Sequence, residues 1–285
     1  MRHTTTIEVT GPWSLRTGKR FWEGFTPAAI PRRGDPDALY VSFLSEYDWT
    51  AVTATVTQHE NRATVTVSGD GDLDAAAGQV ARFLSLDVDA TGWPAIGGRD
   101  PVIAAAREAL PGFRPCGFTS PYEAAAWAVL SQRTSRVVAA GHSRRLSITH
   151  GREGVFPAPS VLIRAIESGE LTLPGRKADY LAAVAGAAAD GVLDARRLRA
   201  LPEDDARAQL REISGIGPFG ADLVLIRGAG TADVLPRAEP RLDAEITRRY
   251  GPGRGLGEVA RAWRPFRSWA AVHLRATAAA PIPVP

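Results

Sequence analysis

The segment GIGPFGADLVLIRGAGTADVLPRAEP, residues 215–240, carries two features that could do chemistry. Gly215 and Gly217 permit a tight turn with backbone conformations closed to other residues, and Pro218 suits the first turn of a new helix. The free N–H groups at that N-terminus, with the helix dipole behind them, suit a phosphate oxygen and read no sequence. At the far end Glu239 stands directly before Pro240, at or near the N-cap of the next helix, where the dipole helps to keep it ionised. Glutamate is a mediocre cap, so capping alone does not explain the choice. Glu239 is a candidate reacting carboxylate; its competing reading is the first polar residue of a surface helix. Asp222 and Asp243 lie on the neighbouring helices and read as surface or helix-terminal groups.

The rest of the chain narrows the chemistry. The histidines, His3, His59, His142, His150 and His273, have no metal-ligand spacing, so no metal or other cofactor is expected. His273 reads as a satisfied, half-buried histidine. Cys116 is the single cysteine of the 285 residues, which excludes an internal disulfide framework and any four-cysteine metal or iron–sulfur site. No run approaches the roughly 20 apolar residues of a membrane span, and the N-terminus lacks the apolar length of a signal peptide; a cytoplasmic protein is expected. The formal charge is +3, and the cations are nearly all arginine, Lys19 and Lys177 being the only lysines. Eight arginines lie between Arg241 and Arg275 against Asp243, Glu245 and Glu258. That segment is either a surface for a polyanion or a solvated helical face.

Two textures must position these residues, and they change near residue 90. ALYVSFLSE (38–46), AVTATVTQ (51–58) and RATVTVSG (62–69) alternate apolar and polar residues with period two, and HEN at 59–61 reads as a turn. These are strands of an antiparallel sheet. DLDAAAGQVARFLSL (72–86) has helical spacing behind an aspartate start signal and should cover one sheet face. After TGWPAIGGRDP (91–101), read as a Gly/Pro-rich connection, helical segments follow one another to residue 278. SPYEAAAWAVLSQRTSRVVAAGHSRRL reads as one of them. In WRPFRSW (263–269), Trp263, Phe266 and possible partner Trp269 should pack the last helix into the core, with Arg264 and Arg267 facing acidic groups or phosphate. The expected architecture is an α+β domain over 1–90, an all-helical domain over 91–278 and an irregular tail over 279–285.

Glycine pairs are weak signals alone, but the surrounding pattern is more specific. The amphipathic helix, GIGPFGAD, LVLIRG, DVLP and the following carboxylate resemble the helix-hairpin-helix DNA glycosylase superfamily, in its bacterial 3-methyladenine DNA glycosylase II branch. GFRPCGFTSPYEAAAWAVLSQR resembles the helix leading to the DNA wedge, LPGRKADYLAAVA the next helix start and WRPFRSWAAVHL the final helix. The likeness covers most of residues 112–277, and the N-terminal sheet and helix fit the extra domain of that branch.

The resemblance implies a monomeric, metal-independent enzyme of base excision repair that flips a damaged, alkylated purine out of duplex DNA and hydrolyses its N-glycosidic bond. Glu239 matches the family's catalytic position, which is usually aspartate, with no gap in the spacing from GIG. It would stabilise positive charge on the sugar or orient water. Gly215, Gly217 and Gly220 match the DNA-binding hairpin. At SQRT, Gln132 would face the orphan base, Arg133 would plug the gap and Thr134 would flank them. Bifunctional members carry a nucleophilic lysine at the position of Gly220, and no lysine follows Lys177, so no lyase activity is implied. The base pocket would comprise Trp22, Phe25, Phe219, Leu223, Pro240 and Arg275. Leu223 and Pro240 replace family aromatics and Arg275 replaces an indole, which disfavours a cationic base and suits a neutral or bulky purine adduct. The competing reading is a lesion-binding protein of the same fold without turnover.

Overall fold

The computed structural model describes residues 1–25 and 35–278. The expected irregular tail, 279–285, lies outside the described residues. The chain opens with strand β1 (Arg2–Glu8), helix α1 (Leu15–Glu23), strands β2 (Ala38–Leu44), β3 (Ala51–His59) and β4 (Arg62–Gly69), and helix α2 (Leu73–Phe83). The strands form one antiparallel sheet in the order β1-β4-β3-β2. Its register pairs Val56 with Val65 and Ala54 with Val67, so β-branched and small side chains of one face meet directly across the ladder. Those residues are buried beneath α2 through Leu73, Ala76, Val80 and Phe83, as period-two and helical spacing together require. Burying each such valine contributes roughly 1.5–3 kcal/mol. β1 was not legible from alternation: RHTTTIE has one large apolar residue, and its place is set by pairing with β4.

The helical part comprises α3 (Trp93–Arg99), α4 (Pro101–Glu108), α5 (Pro121–Leu130), α6 (Arg136–Thr149), α7 (Pro159–Glu167), α8 (Lys177–Ala189), α9 (Ala195–Ala200), α10 (Glu203–Arg211), α11 (Pro218–Leu223), α12 (Pro240–Tyr250), α13 (Leu256–Val259) and α14 (Arg267–Ala276). A π-helical turn, Val224–Gly228, continues α11. The stretch expected as a Gly/Pro-rich connection contains α3, because burial of Trp93 and Ile96 outweighs the weak propensity of its glycines. The single long segment expected from 120 onward is broken into α5 and α6, with Ser135 capping α6 through Val138 N–H at 3.2 Å.

Helix α5 is buried all round, as expected for a hydrophobic helix at the centre of a bundle. α8 packs on it through Leu181, Val184 and Ala185, and the α11 region through Ala221, Val224 and Leu225. The approach is closest at Gly228, where a Cβ would lie 2.7 Å from the Cα of Pro121. A second helical core gathers Trp93, Ile103, Leu242, Ile246, Trp263, Phe266 and Trp269. Trp263, Phe266 and Trp269 are therefore core residues. Arg114 joins the two layers: Nε donates to Pro12 O at 3.1 Å, Nη1 to Ser85 O at 2.7 Å and Val88 O at 2.9 Å, and Nη2 to Thr10 O.

Candidate active site

The hairpin between α10 and α11 depends on one glycine for its shape. Gly215 has φ +91°, and a Cβ there would lie 2.5 Å from the ring of Tyr180. Gly217 is extended at φ −90°, ψ −176°, and a Cβ would meet nothing within 4 Å. Its lack of a side chain leaves open space rather than satisfying the backbone, which corrects the expectation of two conformationally special glycines. With Pro218 at the first helical position, the early amides of α11 have no preceding turn to bond to. Gly220, expected with the DNA-binding residues, is buried: a Cβ would approach Ala128 Cβ and Ile216 Cγ2 at 3.3 Å. It sets helix packing and offers no surface to a ligand.

The loop between α5 and α6 is tied to that hairpin. Gln132 Nε2 donates to Gly215 O at 2.5 Å, and Lys177 Nζ donates to Leu130 O at 2.6 Å. Arg133 is exposed with φ +51°, an unfavourable backbone for arginine, and Thr134 beside it is half-buried. In this state Gln132 fixes the hairpin instead of projecting outward, and Arg133 is the residue presented to solvent.

Glu239 sits at the N-cap of α12 with φ −122° and ψ 90°, and its side chain makes no capping bond. Its carbonyl starts the helix by accepting from Leu242 N at 2.9 Å and Asp243 N at 3.2 Å. The two preceding residues are held by buried Asp222, whose Oδ2 accepts from Arg237 N at 2.6 Å and Ala238 N at 3.2 Å. Asp222 Oδ1 accepts from Arg207 Nε at 2.7 Å, and Arg207 Nη1 donates to Glu203 at 2.5 Å. Asp222 is thus a buried group that fixes the backbone leading into Glu239, not the surface group its helical place suggested; Asp243 is exposed. The Glu239 carboxylate accepts from Arg275 Nε of α14 at 2.7 Å, with side-chain exposures of 30% and 27%. The carboxylate is oriented but still reachable.

The expected pocket residues separate. Trp22 is 2% exposed, packs edge-on to Phe83 and donates its indole N–H to Gly117 O at 2.9 Å; it belongs to the sheet layer's core and not to a pocket wall. Phe219 is 47% exposed on the first turn of α11, and Pro240 is exposed. Leu223 is half-buried against the helical core. Phe25 stacks near Phe21 at 6.1 Å and meets Phe118 edge-on at 5.5 Å.

Sequence reasoning missed Arg227, in the π-helical turn. Its guanidinium lies over Phe25 at 4.6 Å and Phe21 at 5.2 Å, and its carbonyl accepts from Phe118 N at 2.8 Å. Nε and Nη2 are buried without a hydrogen-bond partner. An unpaired buried donor costs about 1–3 kcal/mol, more when charged. Burial lowers the guanidinium's pKa, opposed by Cys116 and Glu239. An arginine inside the apolar run LVLIRG was the available signal; its aromatic partners come from the distant N-terminal segment, so their meeting was not legible. π-turns recur at functional sites.

His273 is fully buried between Trp93 and Phe113, its Nδ1 2.8 Å from Trp269 O and Nε2 without a partner. Burial pushes its pKa down to about 4, which keeps it neutral. A separate cavity of about 350 Å³, lined in part by Leu198, Leu225, Glu203, Asp233, Arg264 and Arg267, contains none of the expected site residues. Its charges are already paired, Arg267 bonding Asp233 at 2.9 Å and Glu203 at 3.0 Å. Among the described residues no group of three or more His, Cys, Asp or Glu side chains could hold a metal ion, and no helix is long and apolar enough to cross a membrane.

Comparison with known proteins bears on this arrangement. No family model matches the chain. It is 31% identical over 224 residues, 74% of its own length and 44% of the relative, to a probable bifunctional transcriptional activator/DNA repair enzyme AlkA of Mycobacterium tuberculosis. It is 25% identical over 158 residues to a DNA-3-methyladenine glycosylase of Bacillus subtilis, covering 52% of each protein. The chain spans about half the length of these curated relatives. A solved 3-methyladenine DNA glycosylase from Archaeoglobus fulgidus superposes with a TM-score of 0.74, covering 96% of this chain and 97% of that one at 22% identity, a likeness of fold. The four-stranded antiparallel sheet with its helix and the all-helical region that follows accord with these matches, and the chain belongs to the AlkA-like, helix-hairpin-helix family of 3-methyladenine DNA glycosylases.

Proposed function

We propose that the chain is a monofunctional DNA glycosylase that removes a damaged, alkylated purine from duplex DNA by hydrolysis and leaves an abasic site. The observation that carries this reading is the Glu239 carboxylate, held by Arg275 at 2.7 Å and by the Asp222 clamp on the preceding residues, yet still partly exposed. Breaking an N-glycosidic bond leaves positive charge on the sugar, and a fixed carboxylate stabilises it and takes a proton from the attacking water. Flipping the base out of the stack costs a few kcal/mol. The amides of Gly217 and the following turn would grip the backbone, with Gly215 shaping that turn, while Arg133 fills the gap left by the base. The protein would act as a monomer on DNA in the cytoplasm, and its family points to base excision repair.

No lyase step is assigned, because no lysine follows Lys177 and Lys177 is bonded to Leu130 O at 2.6 Å. Gly220, at the position of the lysine in bifunctional relatives, has neighbours 3.3 Å from any Cβ, so a long side chain there would displace α5 or the hairpin. Abasic-site formation on alkylated duplex DNA tests the proposal. Glu239→Gln should lower single-turnover release at least about 100-fold; equal rates would remove Glu239 from the mechanism. The Glu239–Arg275 pair favours a second reading, a lesion-binding protein whose carboxylate is already committed. It predicts salt-sensitive binding with no base release from any adduct.

A further inference from the structure

We infer that the exposed face of α6 is a second DNA-docking surface, which receives the undamaged strand of the duplex beside the lesion and extends the grip beyond the glycine hairpin. The inference rests on the DNA-binding part of the reading above and names the path of the duplex past that site.

The first observation is where unpaired positive charge lies. The cationic stretch Arg241–Arg275 is largely neutralised within the fold: Arg248 and Arg249 pair with Glu245, Arg254 with Glu258, Arg264 and Arg267 with Asp233, and Arg275 with Glu239. Ser131–Arg152 instead holds five arginines and two histidines without one acidic residue. Arg133, Arg136, Arg144, Arg145 and Arg152 are all exposed, and among the described residues none of their side chains has a hydrogen-bond or ion-pair partner. Such arginines bring their full charge to a polyanion, and each phosphate they neutralise releases condensed counterions.

The second observation is the make-up of the helix face. Ala139 and Leu146 bury one side of α6 in the helical core. Opposite them Val137, Gly141, Arg144 and Ile148 recur at intervals of four, three and four residues, which aligns them in one stripe. Val137 is 78% and Ile148 67% exposed, and a Cβ at Gly141 would meet nothing within 4 Å. Aliphatic groups set among unpaired arginines suit a DNA groove, where apolar sugar faces lie between phosphates.

The third observation is continuity. Gln132 Nε2 donates to Gly215 O at 2.5 Å, so the loop before α6 is fastened to the hairpin, and Ser135 caps α6 two residues after exposed Arg133. A duplex whose damaged strand lies on the hairpin amides, with Arg133 in its gap, presents its other strand to α6. A rise of about 1.5 Å per residue sets Arg144 about 12 Å beyond Arg136, a reach of about four phosphates along a strand. An acidic protein surface would also complement this stripe, but the bond to the hairpin favours DNA.

The test follows the fluorescence anisotropy of a long duplex with a central tetrahydrofuran abasic analogue, titrated with the full chain over a range of salt concentrations. The double variant Arg144→Ala/Arg145→Ala should bind about 10-fold more weakly near physiological salt, and the slope of log affinity against log salt should shrink by about 2. Arg144→Lys/Arg145→Lys should keep most of both, since a phosphate contact needs the charge more than the fork. Val137→Glu should weaken binding about 10-fold or more. Arg254→Ala removes an exposed arginine already paired with Glu258 and controls for net charge; it should change affinity less than about 2-fold. Wild-type affinity and slope in the folded double alanine variant overturn the inference and leave the stripe to a protein partner. A loss no larger than that of Arg254→Ala overturns it too, and wild type that binds no duplex overturns both readings. Base release is measured alongside on alkylated duplex: binding that depends on α6 without release defeats the glycosylase reading alone, and release with binding independent of α6 defeats this inference alone.

Discussion

Glu239 is held by Arg275 and by the residues that fix the backbone leading into it. Asp222 binds the backbone at Arg237 and Ala238 and takes its own counter-charge from Arg207 at 2.7 Å. Asp222→Asn keeps the shape but leaves buried Arg207 short of a charge partner and weakens at least one amide bond. Stability should fall by about 2–4 kcal/mol. Below the variant's melting transition, and if Glu239 has the role proposed for it, base release should still fall about 10-fold or more, because a small displacement of a reacting group is enough to slow a reaction. Thermal unfolding and single-turnover release on one preparation separate the effects; unchanged release in the folded variant would show that the clamp serves stability alone. Glu239 itself was legible because its spacing from GIG and its proline neighbour are local. Asp222 was misread, since its partners Arg207 and Arg237 lie on separate elements, and Arg227 was overlooked because Phe21 and Phe25 reach it from the other end of the chain.

At the scale of elements the hairpin separates shape from contact. Gly215→Ala must place a methyl 2.5 Å from Tyr180 and hold a left-handed backbone, so it should destabilise the fold by more than about 2 kcal/mol. Gly217→Ala meets no obstacle and should cost about 1 kcal/mol or less as a weaker cap. It sets a methyl where a phosphate would approach, and duplex affinity at fixed salt should fall about 10-fold. Wild-type affinity in a folded Gly217→Ala would remove that amide from the interface. The strand and helix textures were legible from periodicity because β3, β4 and α2 each bury one regular face. α3 was not, since Pro94, Gly97 and Gly98 mimic a connection until Trp93 and Ile96 find their core. The α5–α6 break was marked only by the resemblance of SQRT to a DNA wedge, because the helical pattern runs on through the point where Arg133 turns to φ +51°.

The whole molecule brings its layers together around the last helix, and there one histidine makes folding sensitive to acid. His273 of α14 is enclosed by Trp93 from α3 and Phe113 from the segment that follows α4. Burial lowers its pKa from 6.5 to about 4, so the unfolded chain binds a proton that the folded chain refuses between those values. The stability contributed by the neutral ring is therefore complete above about pH 6.5 and is lost as the pH falls toward 4, by roughly 3 kcal/mol in total. Glu46 and Glu123, at the junction of the sheet layer with α5, run the other way: burial raises each to about 7, so protonation below that value favours the fold. Wild type alone would show the sum of opposing slopes. The difference between wild type and His273→Leu cancels the carboxylates and isolates the ring. Denaturant unfolding of both proteins from pH 7.5 to 4.5 should show wild type losing about 2–3 kcal/mol relative to the variant, nearly all of it below pH 6.5. Parallel profiles would mean that protonated His273 is accommodated in the fold, through an acceptor reaching Nε2 or water entering beside Trp93.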